Sequence, residues 1–203
     1  MKILITSNFK KYFNTHIDFL DYYWIQYFDR YNISFQVISN SISNLKKVLN
    51  KTENIDLVIL PGGNDINGLD KLSKTRLKVE NEIIKFSIKK NITILGICRG
   101  MQVINCFFEG NIKKTKGHMN TKHQIFFKKN FFKKEIMKVN SFHNFCITEK
   151  IISKKLEIFA TDSKKNVEMF KHKKLSIYGV MWHPEREKSY KNLNYLIKKI
   201  YSK

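Results

Sequence analysis

Residues 94–102 read Ile94-Leu95-Gly96-Ile97-Cys98-Arg99-Gly100-Met101-Gln102, an apolar segment followed by one cysteine and the start of a helical pattern. A strand that turns sharply into a helix leaves no room for a Cβ two residues before or after the turn residue, and glycine stands at both positions. The positive end of the helix dipole favours the thiolate form of a cysteine placed there. The stretch therefore predicts a nucleophile elbow with Cys98 at its apex, although cysteine is also a common small core residue.

Strand-like and helical segments alternate on both sides of this elbow. Apolar strand patterns occupy residues 3–5, 35–38, 57–60 and 92–97, and helical patterns occupy residues 16–31, 74–89 and from the elbow to about 108. This alternation predicts an α/β fold with a doubly wound, mostly parallel central sheet and helices on both faces. The aromatic stripe Trp24, Tyr27 and Phe28 is predicted to be core. Residues 111–181 read as short strands and turns, a small antiparallel portion, before a final helix near 190–201.

A second group of candidate site residues follows the apolar run at residues 178–182. Positions two apart in an extended chain point the same way, so Glu185 could orient the imidazole of His183. His183 could then take the thiol proton of Cys98, which is the logic of a catalytic triad. The alternative is a half-buried histidine at a strand end. We favour the triad because two parts of a site that both follow strands seldom coincide by chance.

The segment Leu57–Leu60 is followed by the turn Pro61-Gly62-Gly63-Asn64-Asp65. Adjacent glycines let backbone N–H groups approach a ligand closely, which suits an oxyanion hole. In isolation, the same glycines would indicate only a turn from a strand to a loop. Ligands bind beyond the carboxyl ends of parallel strands, where Gly63 and Cys98 are both predicted to lie.

Length and composition predict one domain over residues 1–203, because 203 residues with 42% hydrophobic content can form one core and no linker or repeat divides them. Three cysteines argue against a disulfide framework, and no signal-peptide pattern opens the chain, so a reducing, cytoplasmic location is expected. Cys106 and Cys146 are predicted to be small core residues. His118 and His123 lack the spacing of a metal pair on one helical face, so no metal is assigned.

The formal net charge of +21 admits three interpretations. It could neutralise nucleic-acid phosphates, attract a small anionic substrate, or reflect drift toward A/T-rich codons, since the lysines are scattered along the chain. Drift with incidental attraction of an anionic substrate is the interpretation we favour. The segment at 126–134 interleaves phenylalanine and lysine, but a strand end and a turn with inward phenylalanines explain it better than a nucleic-acid or membrane contact. No nucleic-acid or membrane partner is expected.

Four motifs resemble those of the class I glutamine amidotransferases: LPGGND at 60–65, GICRGMQ at 96–102, VNSFHN at 139–144 and VMWHPE at 180–185. Within that family, the chain is more similar to the stand-alone γ-glutamyl amide hydrolases of the peptidase C26 type than to synthase-bound glutaminase domains. The resemblance implies a flavodoxin-like fold, hydrolysis of a γ-glutamyl amide of a small molecule, and no cofactor. It implies Cys98 as the nucleophile, His183 as the general acid and base, and Glu185 as the orienting carboxylate.

The resemblance also implies a binding site around these three residues. The backbone N–H groups of Gly63 and Arg99 would form the oxyanion hole, and Gln102 would support the pocket for the γ-glutamyl group. The other residues assigned to substrate binding are Gly62, Asn64, Asn140, Ser141 and His143.

A narrower resemblance lies near the N-terminus, where a short basic loop precedes Asp18-Phe19-Leu20-Asp21 and Trp24. With the PGGND turn, it resembles the γ-glutamyl-CDP-amidate hydrolases, which release glutamate from a nucleotide phosphoramidate used to decorate bacterial capsules. Two departures concern the substrate rather than the reaction: Asn144-Phe145 replaces a histidine and a glutamine, and Glu109-Gly110 replaces Gly-Gly. The open alternatives are a γ-glutamyl-γ-aminobutyrate hydrolase, a glutaminase that delivers ammonia to a synthase partner, and a non-enzymatic nucleic-acid-binding or scaffold protein.

Overall fold

The first half of the chain alternates strands and helices, as predicted. The computed structural model describes residues 1–66 and 71–201. In chain order its first elements are β1 Lys2–Thr6, β2 Asn8–Tyr12, β3 Thr15–Phe19, α1 Tyr22–Arg30, β4 Ser34–Ile38, α2 Ile42–Lys51, β5 Leu57–Leu60, α3 Lys71–Lys89, β6 Thr93–Ile97 and α4 Arg99–Phe107.

The second half is mainly strands. They are β7 Lys113–Lys114, β8 Thr121–Phe127, β9 Ile136–Ser141, β10 Phe145–Cys146, β11 Leu156–Asp162, β12 Val167–His172 and β13 Ile177–Val180. A 3₁₀ helix at Pro184–Arg186 and the C-terminal helix α5 Lys191–Tyr201 follow.

One nine-stranded sheet runs through the molecule in the order β4-β1-β5-β6-β13-β12-β11-β8-β9. The strands from β4 to β13 in this order pair in parallel, and the remaining pairs are antiparallel. Two small antiparallel sheets, β2-β3 and β7-β10, accompany it. The predicted α/β class with a mostly parallel centre and a smaller antiparallel portion is therefore confirmed.

The core lies along the central strands. Every residue of β5 and β6 is buried, as expected for parallel strands whose two faces are both covered. Trp24, Tyr27 and Phe28 of α1 are buried as well, which confirms the predicted aromatic stripe. Within the described ranges, no helix has the length and apolar character needed to cross a bilayer.

The predicted helix over residues 16–31 is wrong at its start. Residues 15–19 form strand β3, which pairs with β2 in a hairpin, and α1 begins only at Tyr22. Asp21 ends the extended segment and caps the helix, because its side chain accepts a hydrogen bond from the Tyr23 backbone N–H at 3.2 Å. The predicted helix therefore loses residues 16–21, whereas Trp24, Tyr27 and Phe28 lie in α1 as predicted.

The basic-aromatic segment at 126–134 is a strand end and a turn, as predicted. Strand β8 ends at Phe127, Phe131 and Phe132 are buried, and the four lysines of the segment are exposed. Cys146 is buried and Cys106 packs partly buried against the core, which agrees with their predicted structural character.

Candidate active site

Cys98 forms the turn between β6 and α4 and adopts a positive φ of 48°, which is rare for a residue with a side chain. Its backbone N–H donates to the carbonyl of Val180 in the neighbouring strand at 2.8 Å. Both flanking glycines are sterically required: a Cβ on Gly96 would lie 2.6 Å from the backbone of Gly100, and one on Gly100 would lie 1.9 Å from the carbonyl oxygen of Leu60. The local geometry is that of the predicted elbow, with Cys98 itself 5% exposed.

Sheet pairing brings His183 beside the elbow. Strand β13 lies parallel to β6 with Val180 opposite Ile97, so both strands end at the same edge of the sheet. His183 Nδ1 lies 2.6 Å from Glu185 Oε1, and Cys98 lies close enough to the imidazole to contribute to its raised pKa. The structure therefore brings Cys98, His183 and Glu185 into one contiguous group, with the carboxylate and the imidazole both buried.

The electrostatics of this group favour a charged imidazole. Burial by itself lowers the pKa of His183, but the charge of Glu185 and its hydrogen bond to the ring, together with the neighbouring Cys98, raise this pKa to about 10. His183 therefore holds a proton at neutral pH. A protonated imidazole next to the sulfur can donate a proton to a leaving group that departs from this position.

The Gly62-Gly63 turn follows β5, which pairs with β6 on the side opposite to β13. Gly63 adopts a φ of 126°, which favours glycine, and a Cβ on Gly62 would lie 2.4 Å from His183 Cε1. The turn therefore touches the imidazole directly. Helix α4 begins at Arg99, directly after Cys98, and the glycine turn follows the neighbouring strand β5. The two backbone segments expected to bind an oxyanion therefore lie at the same edge of the sheet.

The buried side chains of Asn8, Arg76 and Glu80 lie next to this turn and were not anticipated from the sequence. Arg76 donates through Nη2 to the carbonyls of Pro61 and Gly62, at 3.2 and 3.3 Å, and through Nη1 to Asn8 Oδ1. Its Nε donates to Glu80 at 3.0 Å, and Glu80 also binds the Arg99 guanidinium. The sequence did contain a signal for this pair. Arg76 and Glu80 are four residues apart on the apolar face of α3, a pattern that indicates a buried ion pair.

Asn64 lies in the same turn, and its side chain is engaged within the protein. It accepts a hydrogen bond from the Phe9 backbone N–H at 3.3 Å and donates to the Phe9 carbonyl at 2.9 Å. Arg76 Nη1 contacts the same oxygen at 3.1 Å. Asn64 therefore connects the turn to the β2-β3 hairpin, and its assignment to substrate binding stays a prediction.

Of the predicted binding residues in the VNSFHN segment, Asn140 contacts His183 directly, through the His183 backbone. Asn140 Nδ2 donates to the His183 carbonyl and Asn140 Oδ1 accepts from the His183 N–H, both at 2.8 Å. Gln102 Nε2 donates to the Phe145 carbonyl at 3.1 Å, and Ser141 Oγ donates to the His118 carbonyl at 2.8 Å. The Asn140 contacts hold the His183 backbone in place, and the Gln102 contact ties α4 to Phe145. Direct contacts of these residues with a substrate stay a prediction.

A buried polar cluster adjoins this segment. Ligand atoms of His118, His123 and Glu168 lie within 4.8 Å of one another, and His143 Nε2 lies 4.0 Å from Glu168 Oε1. The two histidines of the sequence prediction sit on a loop and on β8, not on one helical face. Burial and the charge of His118 lower the pKa of His143 to about 3. Three of these side chains could hold a metal ion, and the expectation of no metal stays a prediction.

Comparison with known proteins places this geometry in a family. The model of the family described as glutamine amidotransferase class-I matches residues 16–202, and the chain belongs to this family. A relative named γ-glutamyl-CDP-amidate hydrolase, from Campylobacter jejuni subsp. jejuni serotype O:2, is 41% identical over 145 residues, which cover 70% of this chain and 68% of the relative. A relative from Methanococcus vannielii, named as a component of the glutamine-hydrolysing GMP synthase, is 28% identical over 152 residues, 74% of each protein.

A solved structure supports the fold. A glutamine amidotransferase from Thermotoga maritima superposes with a TM-score of 0.69 and 18% identity, covering 97% of this chain and 80% of that protein. At this identity the similarity establishes the architecture alone.

Proposed function

We propose that this protein is a cysteine-dependent hydrolase that cleaves a γ-glutamyl amide bond and releases L-glutamate. The observation that carries the proposal is the buried group in which His183 pairs with Glu185 at 2.6 Å beside Cys98, which lies at a strained strand-to-helix turn. A backbone turn with two glycines adjoins the same imidazole. This combination provides a nucleophile, a proton carrier, its orienting group and donors for an oxyanion.

In the first half of the proposed reaction, the Cys98 sulfur attacks the side-chain carbonyl carbon of the γ-glutamyl group. The carbonyl oxygen gains negative charge and accepts hydrogen bonds from the backbone N–H groups of Gly63 and Arg99. The carbon–nitrogen bond then breaks, and the leaving nitrogen takes the proton of His183. The products of this step are a thioester on Cys98 and the free amine or amidate.

In the second half, water hydrolyses the thioester. His183, now neutral, removes a proton from the attacking water, and Glu185 stabilises the imidazolium that forms. Collapse of the second tetrahedral intermediate expels the sulfur and releases L-glutamate. The thiolate and the protonated imidazole are restored for the next cycle.

As the substrate we propose γ-glutamyl-CDP-amidate, which would be converted to cytidine diphosphoramidate in capsule polysaccharide phosphoramidate biosynthesis. The relative from Campylobacter jejuni supports this choice by its name and its 41% identity. The net charge of +21 supports it as well, because a positive field raises the encounter rate with an anionic substrate. We propose that the reaction takes place in the cytoplasm, where cysteines remain reduced.

One other function has a specific observation in its favour. The similarity to the GMP synthase component from Methanococcus vannielii supports a glutaminase that passes ammonia to a synthase partner. A stand-alone hydrolase cleaves its amide without a partner, whereas a synthase-dependent glutaminase cleaves glutamine slowly alone and faster with its synthase. A third candidate reaction, hydrolysis of γ-glutamyl-γ-aminobutyrate, is tested by the glutamate-release experiment described next.

The experiment measures glutamate release by the purified protein from γ-glutamyl-CDP-amidate, γ-glutamyl-γ-aminobutyrate and glutamine. We expect fast release from the first substrate and a loss of about 10³-fold or more in Cys98→Ala. Cys106→Ala is the matched control, because burial raises the pKa of that thiol and it lies outside the site. Undiminished turnover by Cys98→Ala would overturn the mechanism.

A further inference from the structure

The β2-β3 hairpin carries a cation and aromatic rings on one face. In an antiparallel pair, residues directly opposite each other point to the same side of the sheet. The register places Lys10 opposite Ile17, Tyr12 opposite Thr15, and Asn8 opposite Phe19 on this face. Lys10 Nζ lies 5.7 Å from the centre of the Tyr12 ring and 5.5 Å from that of the Phe19 ring. We call Lys10, Tyr12 and Phe19 the hairpin face.

The base of this face adjoins the candidate active site. Asn8 accepts a hydrogen bond from Arg76, and a Cβ on Gly63 would lie 1.9 Å from Asn8 Oδ1. The same Gly62-Gly63 turn contacts the ring of His183. A ligand that reacts at Cys98 therefore has the base of the hairpin as a neighbouring surface.

The opposite face of the hairpin is fixed to the protein. Phe9 is buried, and its backbone exchanges two hydrogen bonds with Asn64. Asp18 accepts hydrogen bonds from the Asn40 backbone N–H at 2.7 Å and from Asn40 Nδ2 at 2.8 Å, beyond the end of β4. The hairpin is thus anchored at Phe9 and Asp18 on this face and at Asn8 on the other, and the rest of that other face, at Lys10, Tyr12 and Phe19, is exposed to different degrees.

The hairpin face is accessible to solvent, and the positive charge of Lys10 has no acidic partner among the described residues. Tyr12 is 53% exposed and Phe19 is 37% exposed. Lys10 is exposed, and in the described part of the chain it forms no ion pair. An ammonium group between two accessible rings suits a ligand that combines negative charge with a flat ring.

We propose that the hairpin face binds the nucleoside diphosphate portion of the leaving group and so determines which γ-glutamyl amide is hydrolysed. Lys10 binds the diphosphate, and the rings of Tyr12 and Phe19 stack with the pyrimidine. The strand from Asn8 to Tyr12 spans about 13 Å, which is comparable with an extended nucleoside diphosphate. The proposal rests on the proposed function, because it concerns the leaving group of that reaction.

The first test measures binding of cytidine 5′-diphosphate to the Cys98→Ala protein by titration calorimetry, with cytidine as the uncharged probe. We expect Lys10→Ala to weaken binding of the diphosphate about tenfold and Tyr12→Ala to weaken binding of both probes. Lys11→Ala is the matched control, since it removes the same charge from the opposite face. Equal effects of the two lysine substitutions, or no effect of either, would overturn the proposal.

The second test compares kcat/KM for γ-glutamyl-CDP-amidate with kcat/KM for γ-glutamyl-p-nitroanilide. We expect the ratio of the two values to fall about tenfold in Lys10→Ala and to stay within about twofold in Lys11→Ala. If the unsubstituted protein cleaves neither compound, the proposed function fails, whereas the calorimetry still reports on the hairpin. If it cleaves both and Lys10→Ala leaves the ratio unchanged, the hairpin proposal fails and the hydrolase remains.

Discussion

Arg76 is the side chain that couples the glycine turn to the rest of the site. It lies fully buried, and its guanidinium contacts two carbonyls of the turn, two asparagine side chains and Glu80. Burial lowers its pKa to about 10 although the charge of Glu80 raises it, so the group stays protonated at neutral pH. A planar fork with five donors makes these contacts at once, and the ammonium of lysine cannot.

Arg76→Lys should therefore misplace the turn while keeping the charge. We expect kcat to fall about 10- to 100-fold with a smaller change in KM, because the turn is proposed to act on the developing oxyanion. Steady-state kinetics and a thermal melt separate this effect from simple unfolding. Arg30→Lys is the control at an exposed position, and an unaltered kcat in a folded Arg76→Lys protein would contradict the role.

Gly63 combines a left-handed backbone with a close neighbour. Alanine at this position should destabilise the fold by about 1–3 kcal/mol from the backbone alone, and its Cβ would also displace Asn8 and the turn. We expect Gly63→Ala to lose most of its activity. Gly117→Ala isolates the backbone effect, since Gly117 has a φ of 83° and no atom within 4 Å of an added Cβ. Equal activity losses in the two variants would count against a special role for the Gly63 contact.

Among the elements, β8, β12 and the segment after β9 enclose several ionisable groups with little access to solvent. The His143 ring lies 4.7 Å from that of His118, and Glu168 lies 3.3 Å from His123 and 4.0 Å from His143. Burial dominates the shift at each of His143, His118 and Glu168 and favours their neutral forms. We therefore expect the stability of the antiparallel part of the sheet to depend on pH.

The direction in which pH changes the free energy of unfolding can be tested at His143. Its pKa is about 3 in the folded protein against 6.5 in the unfolded chain, so between these values the unfolded state binds the extra proton. The free energy of unfolding should fall by up to about 1.4 kcal/mol per pH unit as the pH drops through this window. The raised pKa values of His123 and Glu168 act in the opposite direction.

Thermal melts between about pH 7 and about pH 4 check the contribution of His143. We expect the melting temperature of the unsubstituted protein to fall on acidification more steeply than that of His143→Gln, which removes this ionisation and leaves the other groups. Identical slopes for the two proteins would show that His143 does not titrate in this way.

For the molecule as a whole, the relevant property is the net charge of +21. At low ionic strength a field of this sign should attract γ-glutamyl-CDP-amidate, and salt should screen the attraction. We expect kcat/KM for this substrate to fall about three- to tenfold between about 50 mM and about 500 mM NaCl. The γ-glutamyl anilide has no net charge and serves as the control, so an equal salt effect on both substrates would exclude steering.

The class of the fold, and the proximity of Cys98, His183 and Glu185 at one edge of the sheet, were predictable because their signals are local. The elbow is encoded in nine consecutive residues, and glycines at 96 and 100 reflect a steric limit that holds for every sharp turn from a strand to a helix. The pairing of His183 with Glu185 depends on residues two positions apart. Each of these features depends on short stretches of backbone, so periodicity and residue type indicate them directly.

Features built from distant segments could not be predicted in this way. Arg76 contacts Asn8 across 68 positions of the chain. The cluster of His118, His123 and Glu168 forms only because the fold places β8 and β12 in the same sheet, on either side of β11. The helical prediction fails at 16–19 because this segment pairs with β2 in a hairpin, a contact between segments that the local spacing does not indicate. Reactive residues that lie within one turn or at one strand end can be identified from the amino-acid sequence. Contacts between distant elements cannot, because they form only when folding brings their side chains into the same buried space.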